Sequence, residues 1–370
     1  MKFRNFVQKT IINSFFCFIL TTTVGCSLRQ PPKLGAWWVS SLAGGRAGYQ
    51  EAHPATARFH SPSGVAVDAK GNIYVADTTN HRLRALNLRR TVSTLAGSGV
   101  AGFQNHDTGT MASFDSPTGV AVHEDDGNVH IYVADTGNHR IRKITSAGAV
   151  STLAGSGTSG NTNGMGTSAS FNSPSAVAVH EDDDGVFIYV ADTGNHLIRK
   201  IASSGAVTTL AGSGTSGNTN GMGTSASFNS PSAVAVHEDD DGVFIYVADS
   251  GSHRIRKITS AGDVSTLAGS ESGFRDHKEG TSARFNSPKG VAVDKSGNVY
   301  VADTGNNRIR RISPDGGVVT IAGNSMMAFA DGRGMCCARF SKPEGIAISG
   351  FGYIVVADTG NHRIRKLEQK

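Results

Sequence analysis

From Val39 to the C-terminus the chain alternates short apolar, β-branched runs with clusters of Gly, Asn, Asp and Pro. One run, Val-Ala-Asp before a turn, occurs six times, with its aspartates at Asp77, Asp135, Asp192, Asp249, Asp303 and Asp358, spaced 54–58 residues apart. Each unit holds four such runs. The first is Gly-Val-Ala-Val (Gly64–Val67, Gly290–Val293), entered through Phe-x-x-Pro. Ile-Tyr-Val-Ala-Asp (Ile131–Asp135) comes next, then His-Arg-Ile-Arg-Lys (His139–Lys143), then Val-Ser-Thr-Leu-Ala-Gly (Val150–Gly155). β-Branched runs of this length bounded by turn residues read as strands. The second run is apolar throughout, which implies burial on both faces, as when sheets stack face against face. The alanine of the first run leaves room where strands crowd towards an axis. Four short strands per unit, repeated radially, make propeller blades, so the expected fold is an all-β, six-bladed β-propeller of four-stranded antiparallel blades.

The strand count carries a prediction about closure. The sixth unit ends at Lys370 after its third run, and the missing fourth appears at the other end as Val39-Ser40-Ser41-Leu42-Ala43-Gly44. That N-terminal strand should join the last blade beside His362–Leu367, removing the free edges an open array would expose. Residues 152–192 recur unchanged as 209–249, so blades three and four are copies of one another.

The decapeptide Val-Ala-Asp-Thr-Gly-Asn-His-Arg-Ile-Arg at 133–142 and 356–365 resembles the NHL repeat, whose triplet is spelled out at Asn195-His196-Leu197. The resemblance spans residues 39–367 and implies the propeller fold. It does not select a function, because NHL propellers serve RNA-binding regulators, kinase sensor domains, an amidating lyase and envelope proteins alike.

The N-terminus reads as an export signal over 1–25. Lys2, Arg4 and Lys9 precede an apolar stretch too short and interrupted for a membrane span. It ends in Thr23-Val24-Gly25-Cys26, which resembles a bacterial lipobox with Cys26 as the lipidated (palmitate-bearing) residue. A tether over 26–38, the propeller over 39–367 and a tail at 368–370 complete the expected organisation. It would place the protein in the bacterial cell envelope, on the outer membrane where the cell has one, held to the membrane by its lipid.

Three of the 35 basic side chains lie in the acid-free first 25 residues, so the formal charge of +5 falls to near balance in the remainder. Near-balance, with basics spread one strand per blade and few aromatics interleaved, argues against a nucleic-acid partner. Pairing with carboxylates of neighbouring blades is the expected role for the third-strand basics. Cys336 and Cys337 are too few and too close for a disulfide framework.

Residues found in every unit are expected to serve the unit. The six repeat aspartates are assigned to structural turns, where a carboxylate accepts backbone N–H groups. The histidines at 81, 139, 196, 253 and 362 are given structural pairing, with Asn307 in the sixth place. Departures from the repeat offer more. Blades two, three and four carry acidic insertions, Glu124–Asp126, Glu181–Asp184 and Glu238–Asp241, whose oxygens suit calcium. The residue closing the first run is Asp68, His123, His180, His237, Asp294 or Ser349, an inner ring whose histidines and carboxylates are candidate zinc ligands. The expected function is a non-catalytic binding or scaffold module recognising a protein, peptide or glycan through its loop faces, with no cofactor. The alternative is a metal-dependent lyase or hydrolase resembling the amidating-lyase propellers.

Overall fold

A computed structural model describes residues 35–87 and 91–370. The signal, Cys26 and most of the tether lie outside the described residues. Six antiparallel sheets form the six blades, four strands each, and blades three, four and six gain a two-residue outer strand from the incoming linker.

Closure occurs as expected. Trp37–Gly44 runs antiparallel to Arg363–Gln369 in the register Val39↔Leu367 and Ser40↔Lys366, as the fourth strand of the last blade. This clasp strand starts at Trp37, inside the expected tether, and the last strand runs into the expected tail. Paired edges protect the ring from further strand addition.

The core is six interfaces and not one centre. Ala66, Tyr74 and Leu83 of blade one pack against Val120, Ile131 and Val133 of blade two. The same layering repeats around the disc and includes the closing interface, where Val355, Ala357 and Ile364 meet Val65, Ile73 and Val75. Every residue of Ile73–Asp77 and of Ile354–Asp358 is buried, because each second strand is covered by blades on both sides. At the axis the crowding falls two residues before the expected alanine, on a glycine in blades one, two, five and six and on Ala176 and Ala233 in blades three and four. A Cβ at Gly64 would meet the Thr118 carbonyl oxygen at 2.1 Å, and one at Gly345 the Ser63 carbonyl oxygen at 2.2 Å.

Strand directions give the disc two unlike faces. The linkers and the Thr-Gly-Asn turns share one, the linker face. The first-to-second-strand hairpins occupy the other. The acidic insertions of blades two to four are not loops: they extend the hairpin ladder, with His123↔His130 and Glu124↔Val129 in register, so only the Asp126-Gly127 pair turns in blade two. Among the described residues no helix is long and apolar enough to cross a membrane.

Candidate functional site

The repeat motif assembles one buried network per blade. Asp135 is fully buried at the end of the second strand. Its carboxylate accepts the Asp115 backbone N–H at 2.8 Å, the Asn138 amide at 2.9 Å and Arg142 Nη1 at 2.6 Å. The equivalent ion pairs Asp77–Arg84, Asp192–Arg199, Asp249–Arg256 and Asp303–Arg310 measure 2.7–3.1 Å, and Asp358–Arg365 completes the six. The arginine therefore pairs within its own blade, seven residues on, and not with a neighbouring blade as the sequence suggested. Strand pairing decides this: Asp135 ends the second strand opposite Arg140, so Arg142 lies on the adjacent strand of the same sheet.

Burial raises all six carboxyls above the usual carboxylate range, opposed by these bonds. Asp249 is pushed up to about 6. Its blade has Ser252 where the others have Asn, and Ser252 Oγ bonds to the Gly217 carbonyl at 3.2 Å.

The histidines latch blade to blade. His81 Nδ1 accepts the Ser116 N–H at 3.0 Å, His139 that of Ser173 at 2.9 Å, and His196 that of Ser230 at 3.0 Å. Asn307 does the same for Lys342 with its amide oxygen at 2.9 Å. Each acceptor sits at positive φ, 52–58°, so the Asn substitution keeps both the backbone shape and the acceptor. The receiving residues are strained in the same sense, Ser61 to Lys342 having φ of 46–52°.

In blades one, two, five and six the outer arginine of the third strand has a different partner, whereas blade three has Leu197 in its place. Arg140 stacks on Phe103 at 3.8 Å, Arg82 on Tyr49 at 4.0 Å, Arg308 on Phe274 at 3.7 Å and Arg363 on Phe329 at 3.8 Å. These aromatics, about half exposed, were missed in the sequence because one aromatic per linker shows no local pattern. The duplicated blades carry Asn161 and Asn218 there.

The central channel opens on the linker face. The residue after each Phe-x-x-Pro rings its mouth: Ser63, Thr118, Ser175 and Ser232, then Lys289 and Glu344, which pair at 2.7 Å. Each hydroxyl reaches the next blade's carbonyl, as Thr118 Oγ1 does to Ser175 at 2.8 Å and Ser175 Oγ to Ser232 at 3.0 Å. Below lies an apolar throat of five valines and Ile346, and the cavity holds about 270 Å³. The signal was available: Lys289 and Glu344 break a run of hydroxyls at one repeat position.

The inner-ring candidates sit on the opposite face, and the structure does not gather them. Asp68 accepts the Asn72 N–H and amide, both at 2.7 Å, and the Tyr74 hydroxyl at 3.1 Å. Asp294 does the same for Asn298 and for Tyr300, whose hydroxyl burial and Asp294 push up to about 12. His123 Nε2 faces Glu181 of the next blade at 3.8 Å, while His180 and His237 face Asp182 and Asp239 of their own strands at 3.9 and 3.8 Å. Ser349 Oγ accepts the Tyr353 N–H. Among the described residues no three His, Cys, Asp or Glu side chains converge on a point that would hold a metal ion, and this includes the acidic hairpins. These residues as arranged do not fit a metal centre. Cys336 and Cys337 form no disulfide.

A family model for the NHL repeat matches residues 59–86, 114–144, 285–312 and 340–367. The chloroplastic protein SUPPRESSOR OF QUENCHING 1 of Arabidopsis thaliana is 31% identical over 338 residues, 88% of this chain and 26% of that protein. NHL repeat-containing protein 2 of Bos taurus is 39% identical over 88 residues, 23% of this chain and 12% of its own length. The chain thus spans about a quarter or less of these relatives. Among solved structures, a Bacteroides thetaiotaomicron protein of unknown function aligns with a TM-score of 0.67 at 23% identity, covering 90% of this chain and 76% of its own. An auxiliary nutrient binding protein of the same organism gives 0.66 at 15%, covering 92% and 78%. A streptogramin B lyase gives 0.53 at 12%, covering 90% and 98%. At such identities the likeness is one of fold. Repeat by repeat, from the Asp–Arg pair within each blade to the His or Asn latch between blades, the chain is a six-bladed β-propeller of the NHL-repeat family.

Proposed function

We propose that this chain is a non-catalytic binding module of the bacterial cell envelope, taking a protein, peptide or glycan segment on its linker face over the channel mouth. The observation that carries the reading is the mouth itself. Four hydroxyls and one Lys–Glu pair surround an opening with an apolar throat, which is the usual make-up of a recognition site: an apolar cavity with a few placed polar groups. Elsewhere in the repeat, the reactive residue types are committed to structure. Each repeat Asp is buried in its ion pair and each repeat His holds a neighbouring backbone N–H. The likeness to a nutrient binding protein is compatible with a binding role.

The clasp fits an anchored orientation. Gly35 donates its N–H to the Lys370 carbonyl at 3.0 Å, at the hairpin-face end of the last blade. The chain thus enters the propeller at the hairpin-face end of the clasp, on the side opposite the linker loops proposed to take the ligand.

Titration calorimetry of the purified chain against soluble cell-wall glycopeptides and extended peptides tests this. Binding should vanish in Ser175→Tyr, which fills the mouth, with the melting temperature kept, and should survive Glu181→Gln on the opposite face. A ligand indifferent to Ser175→Tyr and lost on hairpin-face substitution would contradict the reading. The alternative, a metal-dependent lyase or hydrolase, has against it that His123, His180 and His237 each face a separate carboxylate at 3.8–3.9 Å and do not converge. Turnover abolished by His180→Ala would establish it.

A further inference from the structure

A second pocket lies off the axis where the chain closes on itself. Its cavity of about 460 Å³ is bounded by Gly44 and Gly45 at the end of the clasp strand, by Arg46, Gln50 and Arg58 of the first linker, and by Arg363 of the last blade. Three guanidinium groups line it and no carboxylate does. Among the described residues none of the three forms an ion pair, and Arg363 gives one N–H to the Gly44 carbonyl at 3.1 Å.

The repeat supplies its own control. Gly44-Gly45-Arg46-Ala47-Gly48-Tyr49 aligns with Gly269-Ser270-Glu271-Ser272-Gly273-Phe274, and Arg58 with Arg284, each directly before a buried phenylalanine. At that second junction Glu271 stands where Arg46 does here, and it pairs with Arg284 at 3.0 Å. The third place is also matched. A Cβ at Gly44 would touch His362 O and the Arg363 Cα, and one at Gly269 would touch His253 O and the Arg254 Cα. The closing junction has thus exchanged an anion for a cation in an otherwise equivalent set. Like charges gathered this way repel unless a counter-charge joins them.

Local packing holds the pocket ready. The Phe329 ring stacks 3.8 Å from the Arg363 guanidinium and fixes its plane. A Cβ on Gly45 would lie 2.8 Å from Arg363 Nη2, so the glycine keeps that edge clear. Burial, and then the like charge of Arg365, holds Arg363 below its ordinary value, opposed by the carboxylates of Asp331 and Asp358.

We infer that this pocket binds a polyvalent oxyanion, a phosphate or sulfate group carried by a small polar molecule. Planar guanidinium forks match the oxygens of such groups in pairs. The cavity is larger than a bare anion needs and lies within the range of small-molecule sites. The bound anion joins clasp, first linker and last blade, so it stabilises the closed ring by mass action.

The test is thermal melting and calorimetry of the full chain with inorganic phosphate, inorganic sulfate, a hexose phosphate and sodium chloride at matched ionic strength. The expected result is a saturable rise in melting temperature with the oxyanions beyond that in chloride. Tighter binding of the hexose phosphate assigns a phosphorylated molecule as the source, and equal binding the free anion. Arg46→Glu, which copies the pairing of the other junction, should melt no lower than the wild type in chloride while binding phosphate about tenfold more weakly or not at all. Glu271→Arg should add a second phosphate equivalent. An absent saturable response in the wild type, or an undiminished one in Arg46→Glu, would overturn the inference.

Discussion

His362 Nδ1 accepts the backbone N–H of Ser61 at 3.1 Å across 301 positions of sequence, and this bond completes the ring of latches that runs from blade to blade. The five other latches join consecutive blades; this one joins the last to the first. The hydrophobic interface beneath it and the clasp strand beside it close the same seam, so three kinds of interaction converge on one junction.

Replacing His362 separates acceptor from ring. His362→Asn should cost less than about 0.5 kcal/mol, because Asn307 makes the same bond from the same left-handed backbone, which Asn tolerates. His362→Ala should cost about 2 kcal/mol, leaving the Ser61 N–H unpaired and forcing alanine to positive φ. Urea denaturation midpoints of the two variants measure the difference.

The latch also makes stability pH-dependent. Burial, and secondly the charge of His60, holds His362 below its ordinary value, and Nδ1 must stay unprotonated to accept the Ser61 N–H. As pH falls below about 6.5 the unfolded chain takes up this proton first. The contribution is whole above that value and is lost with acidification. Denaturation at pH 7.5 and pH 5 should show wild type losing its advantage over His362→Asn at the lower pH; an advantage that grew on acidification would refute the latch.

Two arginines of one strand should differ sharply in what their loss costs. Arg142→Met leaves Asp135 buried without its cation and should cost about 3–5 kcal/mol. Arg140→Ala removes a half-exposed stack on Phe103 and should cost about 1 kcal/mol or less. Calorimetric melting of the pair checks this.

Ser252→Asn should supply the turn amide that Asp249 lacks. Asp249 has its folded value raised to about 6 against an ordinary 3.8, so the wild type carries an ill-stabilised carboxylate above pH 6. The substitution should add about 1.5 kcal/mol at pH 7.5, the gain fading as pH falls from 6 towards 4 and the carboxyl is protonated. A gain equal at pH 7.5 and pH 4 would contradict the assignment.

The sequence showed the fold because its signals were periodic. Six Val-Ala-Asp runs set the blade count, and the displaced Val39–Gly44 strand set the closure. The role of Arg142 was harder to read, since two arginines two residues apart look equivalent until strand register puts one inside and one at the surface. The ring position of Asp68 and its equivalents was legible, but the partners of these side chains were not, because the first strand's last side chain meets its own hairpin first, as Asp68 meets Asn72 and Tyr74. The channel mouth was visible only as a break in a hydroxyl run at Lys289 and Glu344, and the oxyanion pocket only through comparison of Arg46 with Glu271, which needs the blades superposed.

Closure of the disc by its own first segment is tested most directly by hydrogen exchange of the amides of residues 37–44. The account predicts protection comparable to that of 363–369, opening only with global unfolding. Free exchange of 37–44 while 73–77 stays protected would mean an open ring and would contradict it.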